Sequence, residues 1–196
     1  MAERGVVVSY ETVRAWCSKF GREYAKRLRR NRGRLGDTWH LDEVYLKIDG
    51  RFQYLWRAVD QEGQVVDILV QSRRDTGAAK RFFRKLLGKE CTVPNRVITD
   101  RLGSYGAAMR QLIPKVEHIQ NKGANNRAEN SHQPTRERER RRSRFRSASE
   151  AQRFLSTFSA ISNQFREGRH LIQASTHRAL MTRRFAEWRV ICGSVA

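Results

Sequence analysis

Three carboxylates fall where regular structure would hold them rigidly. Asp42 lies inside WHLDEVYLKI, Asp100 ends VITD, and Glu129 sits in NNRAENSH. Converging from two strands and a helix, they would present hard oxygen donors, the ligands that Mg²⁺ takes while keeping waters and bridging a substrate phosphate. Two such ions about 4 Å apart can activate an attacking oxygen and stabilise a leaving one. One carboxylate must then bridge both ions. Asp42 is assigned that place, with Asp100 and Glu129 as flanking ligands.

Charge supplies the substrate class. The 196 residues hold 40 Lys and Arg against 20 Asp and Glu, a formal charge of +20. Such a balance calls for a polyanion, DNA or RNA, because phosphate neutralisation provides most non-specific affinity. A basic protein with no chemistry explains the charge equally well, so composition names the partner and leaves the reaction open.

Each acid has a competing explanation. In a strand, Asp42 shares a face with Val44, Leu46 and Ile48, and Glu43 points the other way with Leu41 and Tyr45. An Asp runs against β-propensity and needs a metal, a buried partner or water. Glu43 is its rival, since a register slip of one residue exchanges their faces. Asp100 could be an ordinary Asx cap on the following helix, although sites in such sheets gather at the carboxyl ends of parallel strands. Glu129 follows after 28 intervening residues, with His132 and Arg136 three and seven positions on, along one helical face. That stripe would combine a ligand, a positioning group and a phosphate clamp, with Pro134 limiting its regularity. Glu137 and Glu139, inside TRERERRRSRFR, are explained by pairing with arginines. Asp49, Asp60, Glu62 and Asp67 are expected at turns or on an exposed strand face. There is no P-loop, GxGxxG, Ser/His/Asp order or zinc-ligand spacing among the five histidines, so acyl-enzyme hydrolysis is poorly supported.

The elements that must position these acids can be read from periodicity. Ser9 to about Arg30 is a helix capped by Ser9, with Val13, Trp16, Phe20 and Tyr24 as its stripe. It cannot bury that stripe alone, and GVVVSYETVRAWCSKFG has the form of a turn followed by a DNA-reading helix. TWHLDEVYLKI, RFQYLWRAV and QVVDILVQS are strands, separated by the hairpin turns at Asp49-Gly50 and Gln61-Glu62-Gly63. Asp75 caps a helix to about Leu87 with Ala79, Phe82 and Leu86 inward and Gly88 as its stop. RVITD is a short buried strand reached by a right-handed crossover, hence parallel. A helix from Ser104 to Leu112 ends at Pro114, and KVEHIQ is the fifth strand. A helical region starts near Arg127 and extends past Arg146. SASEAQRFLSTFSAISNQF continues as helix with Phe154, Phe158 and Ile161 as its stripe, and HRALMTRRFAEWRVI is the last helix. This order is that of the ribonuclease H-like α/β fold, a mixed five-stranded sheet flanked by helices, in which the first and fourth strands are neighbours.

Cys17, Cys91 and Cys192 form no CxxC pair, so neither disulfides nor a zinc ribbon is indicated. No apolar run reaches the ~20 residues that span a bilayer, and MAERGVVVSY lacks a secretory pattern. A cytoplasmic protein without membrane contact is expected.

WHLDEVYLKIDGRFQYLWRAVDQEG, SRRDTGAAKRFFRKLL, ITDRLGSYGAAM and NNRAENSHQPTRERERRRSRF resemble bacterial insertion-sequence transposases of the IS six family, whose catalytic core is of the DDE integrase type. The resemblance covers nearly the whole chain, from MAERGV to the last helix. It implies a Mg²⁺-dependent transposase, with two ions and Mn²⁺ as a substitute, in which Asp42, Asp100 and Glu129 are the DDE acids. Arg136 stands where this kind of enzyme has a Lys or Arg seven residues after the Glu. The implied chemistry is hydrolysis at the element end, freeing a 3′-OH that attacks target DNA in line. Partners would be the terminal inverted repeats, target DNA and further copies of the chain. The DNA-contacting residues would be His132, Arg136, Arg140, Arg141, Lys122 and Arg14. Three segments are expected: residues 1–35, a remnant of a helix-turn-helix region; 36–170, the catalytic core; and 171–196, a C-terminal helix. Two departures from the family pattern stand out. The Asp100–Glu129 spacing is short, which a trimmed surface loop explains, and the chain opens at the second half of the helix-turn-helix, as a truncated or internally started copy would. A plain ribonuclease H-like nuclease and a transposition-deficient DNA-binding remnant are the alternatives.

Overall fold

The computed structural model describes residues 8–90, 93–121, 123–125, 145–166 and 172–193. The sheet runs in the order β3-β2-β1-β4-β5, and its strands are Thr38–Ile48 (β1), Arg51–Asp60 (β2), Val65–Gln71 (β3), Arg96–Thr99 (β4) and Glu117–Gln120 (β5). β1, β2 and β3 are antiparallel, whereas β4 pairs in parallel with both β1 and β5. This is the expected ribonuclease H-like arrangement. The β1–β2 hairpin turns at Asp49 and Gly50, with φ of 48° and 74°, the left-handed pair that a two-residue turn between twisted strands requires.

Two cores flank the sheet. On one face Trp39, Leu41, Trp56 and Ala58 pack against Phe82, Phe83 and Leu86 of helix α2 (Thr76–Glu90) and Tyr105, Ala108 and Met109 of α3 (Gly103–Leu112). On the other, Val44, Leu46, Ile48, Leu55 and Ile68 meet Phe145 and the Ala151 and Leu155 side chains of α4 (Ala148–Phe165). The alternation predicted for β1 is therefore real: even-numbered positions from 44 to 48 are buried against α4, and Tyr45 and Lys47 are exposed.

Helix α1 (Tyr10–Asn31) is capped by Ser9, whose hydroxyl accepts from the Thr12 amide at 3.1 Å. Its docked part differs from the predicted stripe. Trp16 and Phe20 are exposed, and burial begins at Gly21 and continues through Ala25 and Leu28. A Cβ at Gly21 would come within 3.0 Å of the Thr157 side chain of α4, so the small residue lets the two helices approach. Tyr24 meets Trp188 of α5 (Ala174–Cys192) with ring centroids 6.1 Å apart.

Other expectations are corrected. α2 runs through Gly88 to Glu90; one interior glycine costs about 1 kcal/mol, less than the buried Phe82, Phe83 and Leu86 stabilise, and Gly88 does not take the left-handed conformation of a stop. Phe145 bridges to Ile48 and Ser147 is an N-cap, so no helix passes Arg146. The buried stripe of α4 is Ala151, Leu155, Ser159 and Ala160; the larger Phe154 and Phe158 stack on each other at its margin, 6.3 Å apart and nearly coplanar. Asp60 and Asp67 are buried rather than exposed. Asp60 accepts from the amides of Gly36, Glu62 and Gln64 and so organises the β2–β3 turn, while Asp67 pairs with Lys85 of α2 at 3.2 Å. An acid with such partners can be buried.

Leu155 is fully buried between α4 and the sheet. Leu155→Ala is expected to cost about 2–5 kcal/mol, read as a lower denaturation midpoint at unchanged slope in urea; a loss under about 0.5 kcal/mol would contradict this packing.

Candidate metal centre

β4 pairs with β1 over Thr38–Leu41, the last pair being Leu41 with Thr99. Beyond it no strand among the described residues pairs with this edge of β1 at Asp42 and Glu43, and Asp100 follows directly on β4. One carboxylate oxygen from each of the three lies within 4.8 Å of the others. Asp42 and Glu43 leave opposite faces of the strand, as read from the sequence, yet both carboxylates reach this cluster. Rivals by strand alternation, the two both belong to the cluster.

The acids are held by different means. Asp42 accepts from the Glu43 amide at 2.9 Å. Asp100 accepts from the Leu102 amide at 2.9 Å, so the Asx turn exists, but it uses one oxygen and leaves the other 3.6 Å from the Arg74 guanidinium. Glu43 is the most enclosed, its side chain 1% exposed. It accepts from the Tyr105 hydroxyl at 2.6 Å and from Arg74 Nε. Burial pushes its carboxyl up to about 6, against the lowering effect of the Tyr105 and Arg74 hydrogen bonds. Tyr105 is itself fully buried, and burial together with the Glu43 charge holds its phenol well above the ordinary value.

Arg74 thus spans Glu43 and Asp100 and is the cation that offsets their mutual repulsion. Directly across β2 from Asp42 lies Arg57, a buried guanidinium lowered to about 9 by burial and by the charge of Arg166. Periodicity did not single out Arg74, Tyr105 or Arg57. The traces in the sequence are the Arg-Arg pair ahead of the Asp75 cap, a tyrosine five residues after Asp100, and an arginine set between Trp56 and Ala58 in the apolar half of a strand.

Asp42 and Asp100, then, are brought together. Glu129, His132, Arg136, Arg140, Arg141 and Lys122 lie outside the described residues. Arg14 is on the exposed first half of α1, 3.5 Å from Glu11 and remote in sequence from the cluster. The donors fit a hard divalent ion: carboxylate oxygens, with neither sulfur nor imidazole among them.

Residues 36–168 match the DDE domain family. The chain belongs to the insertion-sequence DDE transposases of the IS six family. Over 178 residues it is 30% identical to the transposase for insertion sequence-like element IS431mec of Staphylococcus aureus, covering 88% of this chain and 78% of the relative. The transposase for insertion sequence element IS257 in transposon Tn4003, also from S. aureus, is 30% identical over 175 residues, 87% of this chain and 76% of that protein. Among solved structures, the catalytic core domain of BIV integrase aligns over 78% of this chain and 99% of its own, with a TM-score of 0.49 and 11% identity. The DDE match takes in all five strands and α4, and the carboxylate cluster of this transposase falls inside it.

Since Arg74 and a divalent cation would neutralise the same carboxylates, they compete. Arg74→Ala is expected to tighten Mn²⁺ binding measured by calorimetry without DNA, and Asp100→Asn to weaken it by about tenfold or more. Weaker binding by Arg74→Ala would show that Arg74 builds the site instead of competing for it.

Proposed function

We propose that this transposase cuts and joins DNA through Asp42, Asp100 and Glu129, and that the observation carrying the reading is the convergence of Asp42 and Asp100 at the parallel β1–β4 edge. Glu129 completes the set on grounds of sequence and chain reach. The Asn125 side chain donates to the Leu41 carbonyl at 2.8 Å, beside Asp42, and Glu129 follows it by four residues, a reach of at most about 14 Å.

A divalent cation, Mg²⁺ as two ions with Mn²⁺ as a substitute, supplies Lewis acidity at the scissile phosphate when bound. The chain's own residues do the rest. In this reading Asp42 would serve as the shared ligand, and Asp100 and Glu129 would each hold one ion. The Asx turn at Asp100 fixes which oxygen is presented. Tyr105 and Arg74 orient Glu43 behind the cluster, so that its charge adds to the attraction for cations. One such site would serve both hydrolysis at the element end and attack by the freed 3′-OH on target DNA, because both steps displace one oxygen from phosphorus.

DNA would be held electrostatically. The +20 charge favours phosphate contacts, and we assign them to His132, Arg136, Arg140, Arg141, Lys122 and, on α1, Arg14. In this reading residues 1–35 contribute a DNA-reading helix, 36–170 the catalytic core and 171–196 a closing helix, with several copies acting on paired inverted repeats. Among the described residues no helix is long and apolar enough to cross a membrane.

Mg²⁺-dependent cleavage of duplex DNA carrying the element ends tests the assignment. Asp42→Asn, Asp100→Asn and Glu129→Gln should each lower cleavage by at least about 10²-fold, as losing one stabiliser of a charged transition state does, while duplex binding persists. Equal cleavage by parent and Asp42→Asn would refute the site. Cleavage without joining to a supplied 3′-OH strand would indicate a plain nuclease, and binding without cleavage by the parent a DNA-binding remnant.

A further inference from the structure

The face of the sheet that carries Glu43 changes character a few residues toward the hairpin turn. At Glu43 and its cross-strand neighbour Trp56 the sheet is covered by α2 and α3: Trp56 is fully buried, with ring centroids 6.1 Å from Phe82 and 5.4 Å from Tyr105. Two positions farther out, at the Tyr45–Tyr54 pair, this cover ends. Tyr45 is 59% exposed and Phe52, facing Lys47, is 65% exposed. The rings nonetheless form a connected set. Tyr45 lies 4.9 Å from Tyr54, tilted by 45°, and 6.1 Å from Phe52, edge-on at 81°.

This aromatic track is continuous with the carboxylate cluster. Tyr45 follows Glu43 by two residues on the same face, about 7 Å along a strand. Lys47 extends from the same face at its outer end and Arg51 begins the returning strand. Rings left open to water beside a centre that would hold a phosphate through its divalent cation, with Arg74 at one end and Lys47 at the other, suit a ligand that is anionic along its backbone and flat and aromatic along its side. Unpaired nucleotides are that ligand. Bases inside a duplex keep their faces stacked on each other, whereas a separated strand offers each base face to an aromatic side chain whatever its identity.

We propose that Tyr45 and Phe52, backed by Tyr54, form a stacking platform for unpaired nucleotides adjoining the phosphate held at the acid cluster. The proposal rests on the transposase reading for the position of that phosphate, but its own readout is binding, not cleavage. The two strands would be parted next to the reacting bond, one running from the cluster along the hairpin toward Lys47.

The test compares the full chain with its Tyr45→Ala/Phe52→Ala variant on a blunt duplex and on the same duplex bearing a short single-stranded overhang with 2-aminopurine in it. Binding is measured with Ca²⁺ replacing Mg²⁺. The parent should prefer the overhang substrate by about fivefold or more, as expected when one or more bases stack, and should quench the 2-aminopurine. The double variant should lose both effects and bind the blunt duplex within twofold of the parent. Tyr45→Phe/Phe52→Tyr, which keeps the rings, should retain both. If the alanine variant does not fold, Phe52→Ser alone, at the most exposed ring, should reduce preference and quenching. Unchanged quenching in the ring-less variants overturns the proposal, as does equal weakening on both substrates. So does a change in sedimentation without any effect on the overhang, which would make the patch a contact between copies of the chain. Mg²⁺-dependent cleavage of the blunt substrate by the parent is scored separately. A parent that cleaves but shows no overhang preference sinks the platform alone, and a parent that prefers the overhang but never cleaves sinks the transposase reading alone.

Discussion

The parallel pairing of β1 with β4 is the constraint from which the site follows. It is short, Thr38–Leu41 against Arg96–Thr99, and it ends one residue before the two aspartates. Had β4 continued beside β1, backbone hydrogen bonding would have occupied the edge where Asp42, Glu43 and Asp100 now meet. Had it stopped earlier, Asp100 would stand away from Asp42. Trp39, Leu41 and Val97 are buried on one face of this pairing, so its register is fixed by the same apolar packing that holds the domain together. A side-chain cluster that water and charge repulsion would scatter is thereby assembled by the core.

Bringing like charges together has an electrostatic cost, and the structure offsets it locally. Arg74 reaches two of the three acids and Tyr105 donates to the most enclosed one. The raised carboxyl of Glu43 reflects burial more than repulsion, since desolvation is the largest influence on it and Asp100 the smallest. Glu43 therefore belongs partly to the core and partly to the site. That dual membership ties the orientation of the cluster to the packing of α3, where Tyr105 sits against Trp56 and Phe83. Two residues on, the same face of this strand loses its cover and exposes Tyr45, while Leu46 and Ile48 stay buried on the other face.

Sheet order, the hairpin turn, the two-residue alternation of β1 and the adjacency of Asp42 and Asp100 were legible because each rests on local pattern or on a topological rule. The faults have physical causes as well. Gly88 reads as a stop because propensity is local, whereas the packing of Phe82, Phe83 and Leu86 that carries α2 past it is not. On α4 the large Phe154 and Phe158 outranked Ala151 and Ser159 in the pattern, but close approach to the sheet selects small residues. Asp67 looked exposed because Lys85, its partner, is 18 positions away. Arg74 and Tyr105 entered the site through tertiary contacts that no spacing encodes. Strand alternation puts Asp42 and Glu43 on opposite faces and makes them rivals, and it gives no hint that both carboxylates converge where the β1–β4 pairing ends.

The central claim is that Asp42 and Asp100 share a divalent cation at that edge. Anomalous diffraction from crystals of the full chain grown with Mn²⁺ addresses it most directly. The account predicts a peak at about 2.1 Å, the spacing of oxygen ligands around an ion of this size, from a carboxylate oxygen of each aspartate, with Arg74 displaced from Asp100. Well-ordered aspartates with no peak between them, or a peak bound by neither, would contradict it.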